Sequence, residues 1–371
     1  MTATIDVFPL GNADTSRLTL ADGQRILFDF ADMGRSDGSD IEFDLEKAIK
    51  DDLGSAPYKL PVVCITHVDD DHCHGFGDVF WLQHAKKYQD VDRIKIEELW
   101  VPAAAILEEG LTRDSRLVRE EAKYRLLEGK GIRVFSSPKI LEDWLATKGL
   151  TLASRKNCIV NAGQTIPGFS TDGSEKVEFF VHCPLSWVQD DDDEINRNEH
   201  SVVVQATFVE GSRKTRALLG SDVNSDTLTQ IVKSTIRHGN EDRLEWDLLK
   251  LFHHCSYKAL NVNDRGMDKT SPVAEVKWLV EDQGKDRSII VSSSKKIPTK
   301  GSKEDDKQPP HRQASAYYRS VQNKRSGDFV VSMDKPKKPA KISITAFGVS
   351  LALSSPAVAG SGSTSKPVRS G

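Results

Sequence analysis

Alternating apolar and polar positions open the chain and predict a run of β-strands. Ile5–Phe8 alternates in this way. Ser16–Leu20 and Arg25–Phe30 follow, and the Asp-Gly pair between them is typical of a hairpin turn. Lys59–Thr66 is apolar almost throughout, which is typical of a strand buried on both faces. The pattern therefore predicts a β-rich amino-terminal region that ends in a buried strand.

Helical patterns are fewer than strand patterns. Asp114–Glu128 carries an apolar stripe at helical spacing, with Asp114 as a candidate N-cap and Gly129 as a candidate terminator. Phe76–Lys87 has similar spacing and predicts a second helix, whereas Leu244–Phe252 fits a strand or an amphipathic segment. Short apolar runs predict further strands at Lys95–Val101, Gly131–Phe135, Lys176–Val181, Ser201–Phe208, Thr215–Gly220, Arg287–Val291, Phe329–Ser332 and Lys341–Phe347.

The order of these elements favours an α/β sandwich over a parallel Rossmann sheet, because several strands follow one another directly. The sequence contains neither GxGxxG nor GxxxxGK[ST], so it lacks the common phosphate-binding loops. Three further segments are polar or of low complexity and predict neither a helix nor a strand. We expect a solvated acidic loop at Gln189–Glu194, a mobile loop at about residues 295–310, and a disordered tail at residues 353–371.

Composition narrows the function classes. The chain has 371 residues, of which 38% are hydrophobic and 29% charged, so it can form a sizeable core. A formal net charge of −4 argues against coating of nucleic acid by bulk positive charge, although it allows a local basic patch. No apolar run is long enough to span a bilayer, the first residues lack a secretory pattern, and the five cysteines are scattered. We therefore expect a cytoplasmic protein without a transmembrane helix or disulfide framework.

The most informative segment, THVDDDHCHG at residues 66–75, follows the predicted buried strand directly. Imidazole nitrogens and carboxylate oxygens are ligands of Zn²⁺, Mn²⁺ and Fe²⁺. Alternation along an extended chain places His67, Asp69 and Asp71 on one side, and His72 joins them where the backbone turns. A solvated loop is the alternative interpretation. The preceding apolar strand and the following glycine favour a metal site.

Other predicted strands also end in potential ligands. Asp222 follows one apolar run, His182 ends another, and the pair His253 and His254 follows a third. Each has a structural alternative when taken alone: a turn for the aspartate and a satisfied buried side chain for the histidines. Four strand ends that each supply a potential ligand support a metal site more strongly than any single one.

The order of these motifs resembles the metallo-β-lactamase fold superfamily, whose signature after a strand is HxHxDH. This chain has HxDxDH, with Asp69 where the second histidine usually stands. That variant is similar to the metallohydrolase domain of ComEC-type competence DNA-uptake proteins and their stand-alone soluble relatives. The resemblance covers about residues 3–350, and weaker matches follow in the family's order: Asp6-Val7 with Gly11–Asp14 (VGQGD), Asn198–Val203 (NxxSxVL), Leu219–Asp222 (LLTGD), Leu249–Ser256 (LKVPHHGS), and Ile290–Ser294 with Pro310-His311 (ISxG…HP).

This resemblance implies an αββα metallo-β-lactamase sandwich formed by one domain over residues 1–352, with two divalent cations. Carried over residue by residue, one cation would take His67, Asp69 and, as a further candidate, His182, and the other would take Asp71, His72 and either His253 or His254, with Asp222 between them. An aspartate in place of a histidine weakens nitrogen ligation, so Mn²⁺ becomes as plausible as Zn²⁺. Cys255 stands where the family has glycine, and the segment 295–310 separates His311 from its strand.

The resemblance also implies a reaction in which an activated water attacks a phosphoryl or carbonyl centre. Asp71 would orient that water or accept its proton, and His311 would contact the leaving group or a phosphate. We predict a metal-dependent phosphodiesterase or nuclease acting on DNA or RNA, by analogy with the DNA-processing subgroup. The alternatives are a hydrolase of a small ester, lactone or cyclic nucleotide, and a non-catalytic partner or scaffold module, such as one in a bacterial defence system. The expected partner is nucleic acid, with a protein partner left open and no membrane.

Overall fold

The computed structural model describes residues 1–35, 40–186, 197–305 and 307–352. Helices flank two mixed β-sheets, which confirms the predicted α/β class. Within these residues, no helix has both the length and the apolar character needed to cross a membrane. The predicted acidic loop and the predicted tail at residues 353–371 lie outside the described residues.

The residues that the structure describes contain the following strands and α-helices. The strands are β1 Ala3–Val7, β2 Ser16–Thr19, β3 Arg25–Phe28, β4 Lys59–Cys64, β5 Phe80–Trp81, β6 Ile94–Pro102, β7 Ile132–Phe135, β8 Ile159–Val160, β9 Val177–Cys183, β10 Val203–Glu210, β11 Arg213–Leu219, β12 Trp246–Lys250, β13 Gly284–Ser292, β14 Asp328–Val331, β15 Ala340–Thr345 and β16 Gly348–Leu351. The α-helices are α1 Leu45–Leu53, α2 Asp70–Cys73, α3 Phe76–Val79, α4 Ala103–Leu107, α5 Arg113–Glu128, α6 Lys139–Thr147, α7 Ser225–Arg237, α8 Ala274–Glu281 and α9 Arg312–Lys324.

Each sheet combines an antiparallel part with a parallel part. The larger sheet has the order β16-β15-β1-β2-β3-β4-β6-β7-β8, with β5 beside β6, and becomes parallel from β3 onward. The smaller sheet has the order β14-β13-β12-β11-β10-β9 and is parallel from β11 to β14. In both sheets the parallel strands lead into the segments that carry the candidate ligands, because each such segment directly follows a strand end.

Three apolar clusters hold the elements together. One packs Phe28, Val62 and Trp100 of the larger sheet with residues such as Leu248 and Ile289 of the smaller sheet. A second packs the larger sheet with side chains of α1, α5 and α6, and a third packs the smaller sheet with side chains of α7, α8 and α9. Complete burial of one such large apolar side chain contributes roughly 1.5–3 kcal/mol. The strand ends are therefore fixed by apolar packing on both faces of each sheet.

Two local predictions are wrong. The helix predicted over Phe76–Lys87 ends at Val79, and the chain continues as β5, which pairs with β6. Its apolar spacing reflects the burial of Phe80 and Leu82 and is unrelated to a helical face. Asp114 lies in the first turn of α5, after the N-cap residue Thr112, and its carboxylate accepts the backbone N–H groups of Gly75 and Gly77.

Two other local predictions hold. Gly129 ends α5 in a left-handed conformation, as predicted, and Leu244–Phe252 contains the strand β12. The described residues of the segment 295–310 form neither a helix nor a strand.

Candidate metal centre

The candidate ligands meet where three strands end, one from the larger sheet and two from the smaller sheet. The HxDxDH segment follows β4, Asp222 follows β11, and the two neighbouring histidines follow β12. Backbone hydrogen bonds connect these ends directly: the N–H of His253 donates to Ser221 (3.1 Å), and the N–H of Leu251 donates to Val291 of β13 (2.9 Å). Carboxyl ends of parallel strands are common places for ligand sites because the following loops converge there.

Backbone contacts with neighbouring turns fix the loop after β4. The N–H of Asp14, between β1 and β2, donates to the carbonyl of Asp71 (2.8 Å), and the N–H of Phe30, after β3, donates to that of His72 (3.0 Å). Just after the motif, the backbone N–H groups of Gly75 and Gly77 donate to the carboxylate of Asp114 in α5. The ligand-bearing segment is therefore a short, supported turn whose carboxylates and imidazoles have defined positions.

Four of these side chains form a compact cluster: Asp71, His72, Asp222 and His254 each offer one ligand atom, and all four atoms lie within 4.8 Å of one another. The Nε2 atoms of His72 and His254 are buried and form no hydrogen bond among the described residues. They lie 3.5 Å and 3.2 Å from the carboxylate oxygens of Asp222. Buried nitrogens without hydrogen bonds are rare, and two that face shared carboxylates fit a cation site.

Neighbouring acceptors hold both imidazoles in the tautomer that a metal ligand requires. Nδ1 of His72 lies 2.9 Å from a carboxylate oxygen of Asp29, and Nδ1 of His254 lies 2.9 Å from the carbonyl oxygen of Ser293. With its proton on Nδ1, each ring presents the lone pair of Nε2 to the cluster. Such acceptors fix the orientation of metal-bound histidines and raise their basicity.

The backbone around the paired histidines is strained. His253, His254 and Cys255 have φ angles of 47°, 51° and 66°, a left-handed conformation that few residues other than glycine adopt. Cys255 therefore occupies a conformation that suits the glycine of the family motif. This backbone directs His254 into the cluster, whereas Nε2 of His253 lies 3.9 Å from Asp222 and outside the four-atom group. Strain of this kind is typical of functional sites.

Opposite charges dominate the electrostatics of the cluster. Burial alone would raise the pKa of Asp222, but His254 and His72 outweigh it and hold that pKa well below its usual range. Burial likewise lowers the pKa of His254, yet Asp222 and Asp71 raise it to about 10. The buried carboxylates therefore require positive charge beside them, which either protons on the histidines or a bound divalent cation can provide.

His67 and Asp69 lie beside this cluster but have different partners. Nε2 of His67 is buried, forms no hydrogen bond among the described residues and lies 3.5 Å from Asp69. The other carboxylate oxygen of Asp69 accepts a hydrogen bond of 2.6 Å from Arg197, whose guanidinium also binds Glu108. Arg197 was not identified from the sequence because nothing in its local pattern marks it.

The structure does not bring His182 into the cluster. Its Nδ1 lies 3.3 Å from the hydroxyl of Thr235 on α7, and its Nε2 donates to the carbonyl oxygen of Arg243 (2.9 Å). Alternation along β9 explains the placement, because Val181 points between the sheets and His182 therefore faces the helix side. It lines a separate pocket of about 760 Å³, and burial lowers its pKa to about 4.

A second acidic group beneath the cluster has internal partners. Asp14, Asp29 and His72 also present ligand atoms within 4.8 Å of one another. The oxygens of Asp29, however, accept hydrogen bonds from the N–H and hydroxyl of Thr66, and the ammonium of Lys250 binds Asp14 and the carbonyl of Gly220. We interpret this group as support for the ligands. No spacing rule pointed to Asp29 or Lys250.

A pocket of about 420 Å³ opens over the cluster, and its lining contains side chains of both charges. The acidic ones are Asp69, Asp71 and Asp222, and the basic ones are Lys258, Arg265 and Lys307. His311 also lines the pocket, and its Nδ1 accepts a hydrogen bond from the N–H of Tyr257 (3.4 Å), which leaves the proton of the neutral ring on Nε2. The volume is that of a small-molecule site. The basic side chains in its lining suit a ligand that carries an anionic group.

Comparisons with known proteins leave the family a prediction, since no family model matches the chain and no curated protein matches it in sequence.

Proposed function

We propose that this protein is a metal-dependent hydrolase of the metallo-β-lactamase type whose preferred substrates are phosphodiesters of DNA or RNA. The observation that carries the proposal is the convergence of Asp71, His72, Asp222 and His254 from three strand ends, with both histidine tautomers fixed for coordination. Their arrangement follows the order HxDxDH, Asp, His-His along the chain, on which the family resemblance rests.

The packing supports the αββα form of this fold. One apolar cluster contains side chains of both sheets, and separate clusters pack each sheet with its own helices. Stacked in that order, the layers would be helix, sheet, sheet and helix. The ligands would then lie along one edge of the two stacked sheets, which is where the ends of β4, β11 and β12 meet.

The four clustered side chains would hold the cation. A divalent cation in such a site acts as a Lewis acid and makes water a stronger nucleophile near neutral pH. Asp29 and the carbonyl of Ser293 orient the two imidazoles, so the protein contributes a preformed ligand geometry. The carboxylate of Asp71 is about 38% exposed toward the pocket and is placed to orient the attacking water or to accept its proton.

The basic side chains in the pocket lining support a phosphate-bearing substrate. Lys258 and Lys307 are exposed, line the pocket and form no ion pair among the described residues. Their ammonium groups can bind the charged backbone that flanks a scissile phosphodiester. A neutral lactone or ester would form no ion pair with these two lysines.

The test is a substrate panel with Mn²⁺ or Zn²⁺ added to metal-free protein. We expect cleavage of labelled linear DNA, plasmid or RNA, and of a generic phosphodiester at a lower rate. Asp71→Asn should reduce the rate at least 100-fold, because it removes a ligand and the candidate proton acceptor. Asp70→Asn is the matched control, since the adjacent Asp70 is exposed, lies outside the cluster and should leave the rate unchanged.

The alternatives predict other outcomes of the same panel. Turnover of lactones, small esters or cyclic nucleotides alone would assign the site to a different hydrolase. Absence of turnover on every substrate, with the cation bound, would support a non-catalytic partner module. Equal rates for Asp71→Asn and the native protein would refute the site itself.

A further inference from the structure

The site divides into two halves that differ in their partners. The half formed by Asp71, His72, Asp222 and His254 contains two buried imidazole nitrogens without hydrogen bonds. The other half contains His67 and Asp69, which the family resemblance assigns to a second cation. Within the described ranges, no group of three potential ligand atoms lying within 4.8 Å of one another includes His67 or Asp69.

A protein cation already occupies the second half. Nη1 of Arg197 donates to a carboxylate oxygen of Asp69 at 2.6 Å. Nε of the same guanidinium lies 2.8 Å and 2.9 Å from the two oxygens of Glu108, and Nη2 lies 2.6 Å from one of them. Forked contacts of this kind fix a guanidinium in both position and orientation. Arg197 is therefore held between two carboxylates, one of which is the candidate metal ligand.

The third ligand expected for this half is absent from it. Both ring nitrogens of His182 contact other groups, Thr235 on α7 and the carbonyl of Arg243. A zinc-type site needs about three protein ligands to hold a cation. Of the expected set, His67 alone retains an uncommitted nitrogen, because Asp69 already binds Arg197.

We propose that this site binds one divalent cation, at Asp71, His72, Asp222 and His254, and that the guanidinium of Arg197 takes the place of a second cation at Asp69. The inference rests on the proposed function, because it assumes that the four-residue cluster holds metal. An arginine side chain stays protonated at every physiological pH, so the positive charge beside His67 is independent of metal supply. Glu108 is a positioning residue for that charge.

The first experiment counts bound ions. Metal-free protein is equilibrated with excess Mn²⁺, freed of unbound metal and analysed by elemental mass spectrometry. We expect about one ion per chain, and electron paramagnetic resonance should show the hyperfine pattern of an isolated Mn²⁺. Two ions per chain, with a spin-coupled spectrum, would overturn this inference and leave the proposed hydrolase intact. No bound ion would overturn the proposed function itself.

The second experiment tests the role of Arg197. Arg197→Ala frees the carboxylate of Asp69 next to His67, and we expect the ion count to rise toward two at high Mn²⁺. The double variant Arg197→Ala with Asp69→Asn should return it to one. Arg312→Ala, which removes an arginine paired with Asp268 and Asp305 outside the cluster, is the control and should keep one ion. A folded Arg197→Ala protein that still binds one ion would refute the substitution of metal by guanidinium, whatever its activity.

Discussion

Asp29 illustrates how much of the proposed metal affinity depends on a residue that would not itself bind metal. Its carboxylate accepts the N–H and hydroxyl of Thr66 and lies 2.9 Å from Nδ1 of His72. One carboxylate therefore connects the end of β4 to a ligand of the cluster and holds that ligand in the correct tautomer. Partners of this kind contribute on the order of 10- to 100-fold in metal affinity.

We predict that Asp29→Asn weakens metal binding by about 10- to 100-fold, because the neutral amide stabilises the His72 tautomer less well. Isothermal titration of metal-free protein with Zn²⁺ measures the change. Asp44→Asn, which removes the exposed N-cap carboxylate of α1, should leave the affinity unchanged. Equal affinities for Asp29→Asn and the native protein would show that the contact with His72 is incidental.

His182 has a structural role that makes the protein sensitive to acid. Burial lowers its pKa to about 4, below the value near 6.5 of a histidine in an unfolded chain. A group with a lowered folded-state pKa contributes stability that is complete above pH 6.5 and is lost as the pH falls toward 4. The full loss corresponds to about 3 kcal/mol.

We therefore predict that the free energy of unfolding, measured in urea, declines between pH 6.5 and 4, and that His182→Gln flattens this decline. Glutamine has no titrating group but can still donate to the carbonyl of Arg243. His238→Gln, which changes an exposed histidine of the same pocket, should keep the native acid dependence because His182 is intact. An unchanged decline in His182→Gln would assign the acid sensitivity to other groups.

At the level of elements, most strands could be predicted from the sequence and most helices could not. Strands buried on both faces leave short continuous apolar runs, as in Val62–Cys64 of β4 and Ile289–Val291 of β13, because one face packs between the sheets and the other against helices. The helices α7 and α9 have buried residues at helical spacing, a pattern that the sequence analysis missed. In α7, Leu228, Ile231, Val232 and Thr235 recur at helical spacing after the N-cap residue Asn224.

The candidate site likewise contains residues that could be predicted from the sequence and residues that could not. The four clustered candidate ligands follow strand ends, so the sequence could indicate that they lie close together. The side-chain direction of His182 instead depends on the alternation of side chains along β9. Arg197, Asp29 and Lys250 act through contacts between segments far apart in the chain, which no local pattern encodes. The sequence thus indicated which segments meet, but only the three-dimensional contacts identify the partners of each ligand.

Gly220, between the end of β11 and Asp222, lies close to the backbone of the neighbouring strand. A Cβ on Gly220 would lie 2.5 Å from the carbonyl oxygen of Lys250 in the neighbouring strand β12, a distance that requires the strands to move apart. We predict that Gly220→Ala destabilises the protein by about 1–3 kcal/mol, as expected for overpacking, and weakens metal binding because Asp222 follows two residues later.

Urea unfolding and metal titration of the same variant test both parts of this prediction. Gly173→Ala is the control, since its added methyl would meet the flexible end of Glu175 and should cost little. Loss of stability with native metal affinity would show that the position of Asp222 does not depend on this close approach.

At the level of the whole molecule, the cluster joins the two sheets. Asp71 and His72 belong to the loop after β4 of the larger sheet, and Asp222 and His254 follow β11 and β12 of the smaller sheet. A cation bound by all four would connect segments separated by about 180 residues of chain. Because such a site exists only when both sheets are folded and packed together, the proposed metal binding would be coupled to folding.

We predict that saturating Mn²⁺ or Zn²⁺ raises the unfolding free energy by ~2.7 kcal/mol at a free concentration of 100 times Kd, and that a chelator reverses the gain. Differential scanning calorimetry should show a higher Tm and a single transition, because the cation binds both sheets at once. Asp222→Ala should abolish the shift, whereas Asp226→Ala, which removes an exposed carboxylate at the start of α7, should retain it. If Asp222→Ala gains as much stability from metal as the native protein, the cation binds elsewhere, and the coupling between the sheets through these four residues is refuted.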